Sequence, residues 1–166
     1  MKKKVLSILV DNTSGALSRV AGLFSRRGYN IDSLTVGEME DSRFSRMTVV
    51  ARGDDLILEQ IEKQLAKLED VREVRELVDG HAVCRELVLI TVGVTPEERP
   101  ALVSVVDIFR ASIVDVEQDS MMIEMTGNQS KINAFIKLLD GYEIKEMVRT
   151  GIAGLSRGGQ TTSFEE

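Results

Sequence analysis

Apolar and β-branched residues crowd the stretch from Val5 to Val10, and the polar cluster Asp11, Asn12, Thr13, Ser14 and Gly15 follows it, which reads as a strand running into a loop. The strand is apolar at both parities, so burial on both faces is expected. From Ala16 onward, Ala16, Leu17, Val20, Leu23 and Phe24 recur at helical spacing with Ser18, Arg19, Ser25 and Arg26 on the other side. That pattern predicts an amphipathic helix, with Gly28 placed to stop it. Asn30 to Val36 and Phe44 to Ala51 read as strands joined by the charged segment Glu38 to Arg43. Leu58, Ile61, Leu65 and Leu68 mark a second helix, and Val71 to Val78 a closing strand.

The second half repeats the order: strand Leu87 to Val94, helix Ala101 to Arg110, strands Ile113 to Glu117 and Met121 to Thr126, helix Lys131 to Asp140, strand Glu143 to Thr150. The chain is therefore expected to be α+β, two consecutive ferredoxin-like βαββαβ units, each an antiparallel sheet with both helices on one face. The boundary is placed near Asp79 and Gly80, giving domains 1–79 and 80–150. Residues 151–166, with Gly151, Gly154, Gly158 and Gly159 among Ser and Thr, have no usable periodicity and read as a mobile tail. A phosphate loop there would need a strand before it and a helix after it. Because helices cover only one face of each sheet, a second copy of the chain is the simplest cover for the other, which predicts a homodimer.

With 43% hydrophobic and 29% charged residues, the chain matches ordinary globular domains. A formal net charge of −6 repels phosphate backbones, and 4% aromatic residues leave little for bases to stack on, which sets aside nucleic acid as a partner. No apolar stretch approaches the ~20 residues of a membrane span and no cleavage site follows one, so a cytoplasmic chain is expected, neither membrane-bound nor exported. A single His81 and a single Cys84 cannot close a zinc site. They could pair as base and nucleophile, yet residues three apart on a strand face opposite ways, and a linker histidine with a buried cysteine is the simpler reading. A small enzyme on this fold would need titratable groups converging in a cleft, whereas the first helix end offers only Asp11, an amide and hydroxyls. Neither catalytic residues nor a metal site is expected.

The two halves differ at the start of each first helix. In the second, Thr95-Pro96-Glu97-Glu98 is a capping box: Thr95 caps, Pro96 takes the first helical position and Glu98 reaches back. In the first, Ser14-Gly15-Ala16-Leu17 has no carboxylate to complement the positive end of the helix dipole. Either Ser14 caps this end and Gly15 eases the turn, or the end receives an external anion, with Gly15 letting the ligand approach the backbone. Asn30 is either a turn residue after Gly28 or an amide that binds a carboxylate and an ammonium in one ligand.

The stretch VLSILVDNTSGALSRVAGLFSRRGYNIDSLTVG, Val5 to Gly37, resembles the ACT domain that opens the small regulatory subunit of acetolactate synthase (acetohydroxyacid synthase). FSRMTVV (Phe44 to Val50), LEQIEKQLAKLEDV (Leu58 to Val71) and GLSRG (Gly154 to Gly158) continue the match, which covers essentially the whole chain. Phe44 stands where the family would have Leu, an apolar exchange, and the second half resembles the family in pattern more than in residues.

The resemblance implies a first unit that is an ACT domain for effector binding and dimerisation. It implies a non-catalytic subunit that binds the catalytic subunit, raises its activity and confers feedback inhibition by a branched-chain amino acid, usually valine. Thiamine diphosphate, FAD and magnesium would belong to the catalytic partner and none to this chain. By position, backbone groups at Gly15, Ala16 and Leu17 would hold the effector's carboxylate, Asn12 and Asn30 would orient its polar end, and Ile31 would line its apolar end, between two ACT domains of a dimer. A free-standing amino-acid sensor acting on another enzyme is the alternative, because a pocket reports what is bound and not whom the domain regulates.

Overall fold

The computed structural model describes residues 2–158. The first half forms β1 (Lys2–Asp11), α1 (Ala16–Arg26), β2 (Asn30–Glu38), β3 (Phe44–Gly53), α2 (Asp55–Ala66) and β4 (Val71–Glu76), and the sheet order is β2-β3-β1-β4 with every pair antiparallel. Alternation decides which residues enter the core. Leu6, Ile8 and Val10 of β1 and Met47, Val49 and Ala51 of β3 meet Val20, Leu23 and Phe24 of α1 and Leu58, Ile61 and Leu65 of α2. Both helices thus cover one face, as the periodicity predicts. Asp54 caps α2, its carboxylate accepting the Ile57 N–H at 2.8 Å.

The second half repeats the plan with β5 (Ala82–Gly93), α3 (Arg99–Ile108), β6 (Ser112–Val116), β7 (Ser120–Gly127), α4 (Gln129–Leu138) and β8 (Glu143–Arg149), in the order β6-β7-β5-β8. Val88, Ile90 and Val92 pack against Leu102, Val106, Ile132 and Phe135. Glu86, only 3% exposed, is neutralised by Arg149, whose Nε and Nη2 donate to its two oxygens at 2.6 and 3.1 Å. This pairing holds the Arg149 pKa above its usual value.

Three expectations need correction. The described residues divide into two units, 2–84 with 152–158, and Arg85–Gly151, so the boundary lies at 84/85 and not at 79/80. The segment read as a mobile tail contains a further strand, β9 (Ala153–Ser156), which pairs with β5; the remainder of that tail, 159–166, lies outside the described residues. The physical reason is a row of polar side chains on the helix-free face of the first sheet. Thr35, Thr48, Ser7 and Arg75 are successive register partners across its four strands. Thr35 Oγ1 donates to the Ile152 carbonyl at 3.1 Å, the Gly154 N–H donates to Thr48 Oγ1 at 3.3 Å, and Arg75 Nη1 donates to Ser156 Oγ at 3.4 Å. Alternate residues 152, 154 and 156 therefore face the sheet, and the segment crosses its strands. Part of the two-sided burial of β1 thus comes from the chain's own returning strand.

The third correction concerns α3. The reciprocal bonds of the capping box are present, Thr95 N–H to Glu98 Oε1 at 3.1 Å and Glu98 N–H to Thr95 Oγ1 at 3.3 Å. They close a turn ahead of the helix, which begins at Arg99 with Glu98 as its N-cap and Pro100, not Pro96, in its first turn.

Candidate functional site

The first unit leaves the start of α1 open. Gly15 is the N-cap with φ 88°, no side chain among the described residues caps the end, and the first turn holds no acidic residue. Ser14 does not cap, so that reading of the sequence falls away. The Ala16 N–H bends back to the Thr13 carbonyl at 3.3 Å, and Leu17 is exposed. An uncapped first turn presents N–H donors and the positive end of the dipole, which suits an anion.

The loop leading there is fixed on both sides. Asn12 donates from its backbone to the Arg43 carbonyl at 2.7 Å and from Nδ2 to the Ser42 carbonyl at 3.1 Å, while its Oδ1 accepts from Ser45 Oγ at 3.1 Å. Asp11 is held by Arg72 through two bonds of 2.7 and 3.0 Å. Asn12 is therefore committed to shaping the loop in a single chain. Sequence reasoning missed Arg19 and Asp70. Arg19 grips the Asp70 carboxylate with Nε and Nη2, reaches the Ser14 carbonyl at 3.3 Å, and lies over Gly15; Thr13 Oγ1 adds a bond to Asp70 at 3.2 Å. The Arg19 guanidinium holds the Asp70 carboxyl below the usual carboxylate range. The signal was available in part, since Arg19 lies one helical turn after Gly15, but its partner is remote in sequence.

Asn30 opens β2 opposite Arg52, and its Nδ2 donates to Asp32 Oδ1 at 3.0 Å. Burial disfavours the charged form of Asp32, yet bonds from Arg52 and Lys3 outweigh that and keep its pKa low. Ile31 packs against the helix-side core. Within one chain these residues do not meet Gly15. Asp11, just before the loop, pairs with Phe44 at one end of β3, whereas Asn30 pairs with Arg52 at the other. The length of α1, roughly 16 Å at 1.5 Å per residue, lies between them.

A family profile described as "AHAS small subunit-like ACT domain" matches residues 6–73, and one described as "Small subunit of acetolactate synthase" matches residues 85–158. The chain is 49% identical over 158 residues to the "Probable acetolactate synthase small subunit" of Methanothermobacter thermautotrophicus, covering 95% of this chain and 94% of that protein. The chain belongs to the acetolactate synthase small-subunit family. The counterpart from Archaeoglobus fulgidus is 51% identical over 94% of this chain and 98% of its own length. A crystal structure of the small subunit from Thermotoga maritima superposes with a TM-score of 0.87 at 42% identity, covering 95% of this chain and 98% of that one. The family's second profile begins at residue 85, where the second unit begins, and ends beyond β9. Among the described residues, no three His, Cys, Asp or Glu side chains gather as a metal site, and no helix is long and apolar enough to cross a membrane. His81 is exposed and Cys84 lies half-buried against Gly154.

Proposed function

We propose that this chain is the non-catalytic, cytoplasmic regulatory subunit of acetolactate synthase, raising the activity of a catalytic subunit and making it inhibitable by a branched-chain amino acid, with valine the first candidate. Membership of the small-subunit family over nearly the full length supports the partner. The observation that carries the effector reading is the uncapped start of α1 at Gly15, an anion-receiving end with no acid of its own. The effector's carboxylate is received by backbone groups at Gly15, Ala16 and Leu17, with Asn12 shaping the loop beside them. Asn30 and Ile31 come from a second protomer and take the polar and apolar ends.

That division needs a two-fold dimer, for which the edge position of β2 is suited. β2 is an edge strand, and an antiparallel neighbour β2 from a second copy sets the two α1 helices side by side in opposite directions. The Gly15 end of one then approaches the Asn30 end of the other. Thiamine diphosphate, FAD and magnesium belong to the catalytic partner in this reading, and this chain carries no cofactor. The test is co-purification from cell extract followed by an acetolactate assay. The chain alone forms no acetolactate; added to the catalytic subunit it raises the rate, and valine lowers the raised rate. Capture of a different enzyme in place of the synthase supports the free-standing sensor, and acetolactate formation by the chain alone overturns the regulatory reading.

A further inference from the structure

Donors from three strands meet on one carboxylate near the start of β2. Asn30, Arg52 and Lys3 form a single row of register partners across β2, β3 and β1. Asn30 Nδ2 donates to Asp32 Oδ1 at 3.0 Å, while Arg52 Nη2 and Lys3 Nζ reach Asp32 Oδ2 at 2.9 and 3.1 Å. The register of β2 on β3 shifts between Ile31 and Ser33, which leaves Asp32 as the extra residue of a β-bulge with no partner opposite it. Bulges re-aim side chains. This one leaves Asp32 bonded back to Asn30 on its own strand, with its side chain 18% exposed.

An ionised carboxylate only accepts hydrogen bonds, so Asp32 takes the NH2 end of the Asn30 amide and excludes the carbonyl end. Asn30 is thereby left with its carbonyl oxygen, an acceptor, free for another group. We propose, resting on the effector reading of Gly15 and Asn30, that Asp32 is a positioning residue: by fixing the Asn30 amide it makes Asn30 read the effector's ammonium and not its carboxylate. An amino-acid zwitterion has one donor end and one acceptor end. The Asn30 carbonyl and the N–H groups at Gly15 then fit those ends in one direction only, which narrows the ligand class to α-amino acids. Arg52 and Lys3 sit on Oδ2, the oxygen that Asn30 does not use, and their side chains are 37% and 46% exposed, so solvent screens their repulsion of an ammonium.

The test is calorimetry of the full-length chain with valine and with isovalerate, which keeps the carboxylate and the branched end but lacks the ammonium. The natural chain is expected to bind valine at least about tenfold more tightly than isovalerate, because the analogue leaves an acceptor unpaired. Asp32→Asn, whose amide donates as well as accepts, is expected to shrink that preference at least about threefold, whereas Asp32→Glu, still acceptor-only, retains it even where affinity falls. Asn30→Ala supplies a second arm that leaves Asp32 in place: it should weaken valine at least about tenfold and isovalerate by less than about threefold. A purely structural role would lower both ligands in proportion. Such proportional loss in Asn30→Ala, or a preference for valine that Asp32→Asn leaves unchanged, would overturn the assignment of Asp32 while valine binding itself stands. A natural chain that binds no valine, or valine binding that Gly15→Asp leaves intact, overturns the effector reading beneath it as well.

Discussion

Gly15 is where backbone conformation bears on the proposed effector site. Its φ of 88° lies in the left-handed region, and a Cβ there would stand 2.9 Å from Arg19 Nη1. Gly15→Ala is therefore expected to cost about 1–2 kcal/mol in denaturant unfolding, since the arginine tip can move but the backbone strain stays. Gly15→Asp would be favourable for the helix dipole if φ were negative; at this φ it gains nothing, although aspartate visits the left-handed region more readily than alanine. The expected variant folds, stimulates the catalytic subunit and loses its valine response, because the new carboxylate occupies the effector's place. Retained valine inhibition of its complex would sink the assignment. Asp70, gripped by Arg19, has a lowered pKa in the folded chain. Its stabilisation is complete above the unfolded value of about 3.9 and disappears as pH falls through the lower folded value. The difference in melting temperature between the natural chain and Asp70→Asn should hold steady from about pH 6 to 8 and shrink below about pH 4. A difference that persists unchanged in acid would mean that Asp70 acts by shape and not by charge.

At the scale of elements, β9 is the informative strand. A Cβ on Gly154 would lie 2.7 Å from Leu77 Cδ1 and 2.8 Å from Cys84 Sγ, so Gly154→Ala should loosen the crossing and cost about 1–3 kcal/mol. Thr48→Val, which keeps the shape and removes the acceptor for the Gly154 N–H, should cost about 1 kcal/mol. Losses under about 0.5 kcal/mol in urea unfolding for both would show that β9 adds little to the unit. This strand was not legible in the sequence because Ala153, Gly154, Leu155 and Ser156 are too few to show a period, and their partners are the side chains of Thr35, Thr48 and Arg75 on three other strands. The helices and the longer strands were legible because each buries a stripe whose spacing is visible in one window: Val20, Leu23 and Phe24 on α1, or Val88, Ile90 and Val92 on β5. The open end of α1 was legible from its missing carboxylate. The positive φ of Gly15 was not, since glycine adopts either sign freely, and the Arg19–Asp70 grip was not, since its partners are 51 residues apart.

For the whole molecule, the question is whether the proposed effector site is shared between protomers. Gly15 and Asn30 sit toward opposite ends of the first sheet, so one chain cannot bring them to one ligand. In a two-fold dimer the arrangement closes twice, each site taking Gly15 from one protomer and Asn30 from its partner. Saturating valine should then raise the melting temperature and tighten the dimer together, because a ligand that needs both chains stabilises their association. Neither Gly15→Asp nor Asn30→Ala should bind valine well alone. Mixed and allowed to exchange in equal amounts, they should recover binding without any new substitution. About half of the dimers are then mixed, and each mixed dimer holds one site with both residues intact and one with both replaced. Calorimetry should find about a quarter of the sites restored at near-natural affinity, and charged amino acids should not substitute for valine there. If mixing restores nothing while dimer exchange is shown to occur, Gly15 and Asn30 do not act on one valine across the interface, and the shared-site geometry is wrong whatever the chain regulates.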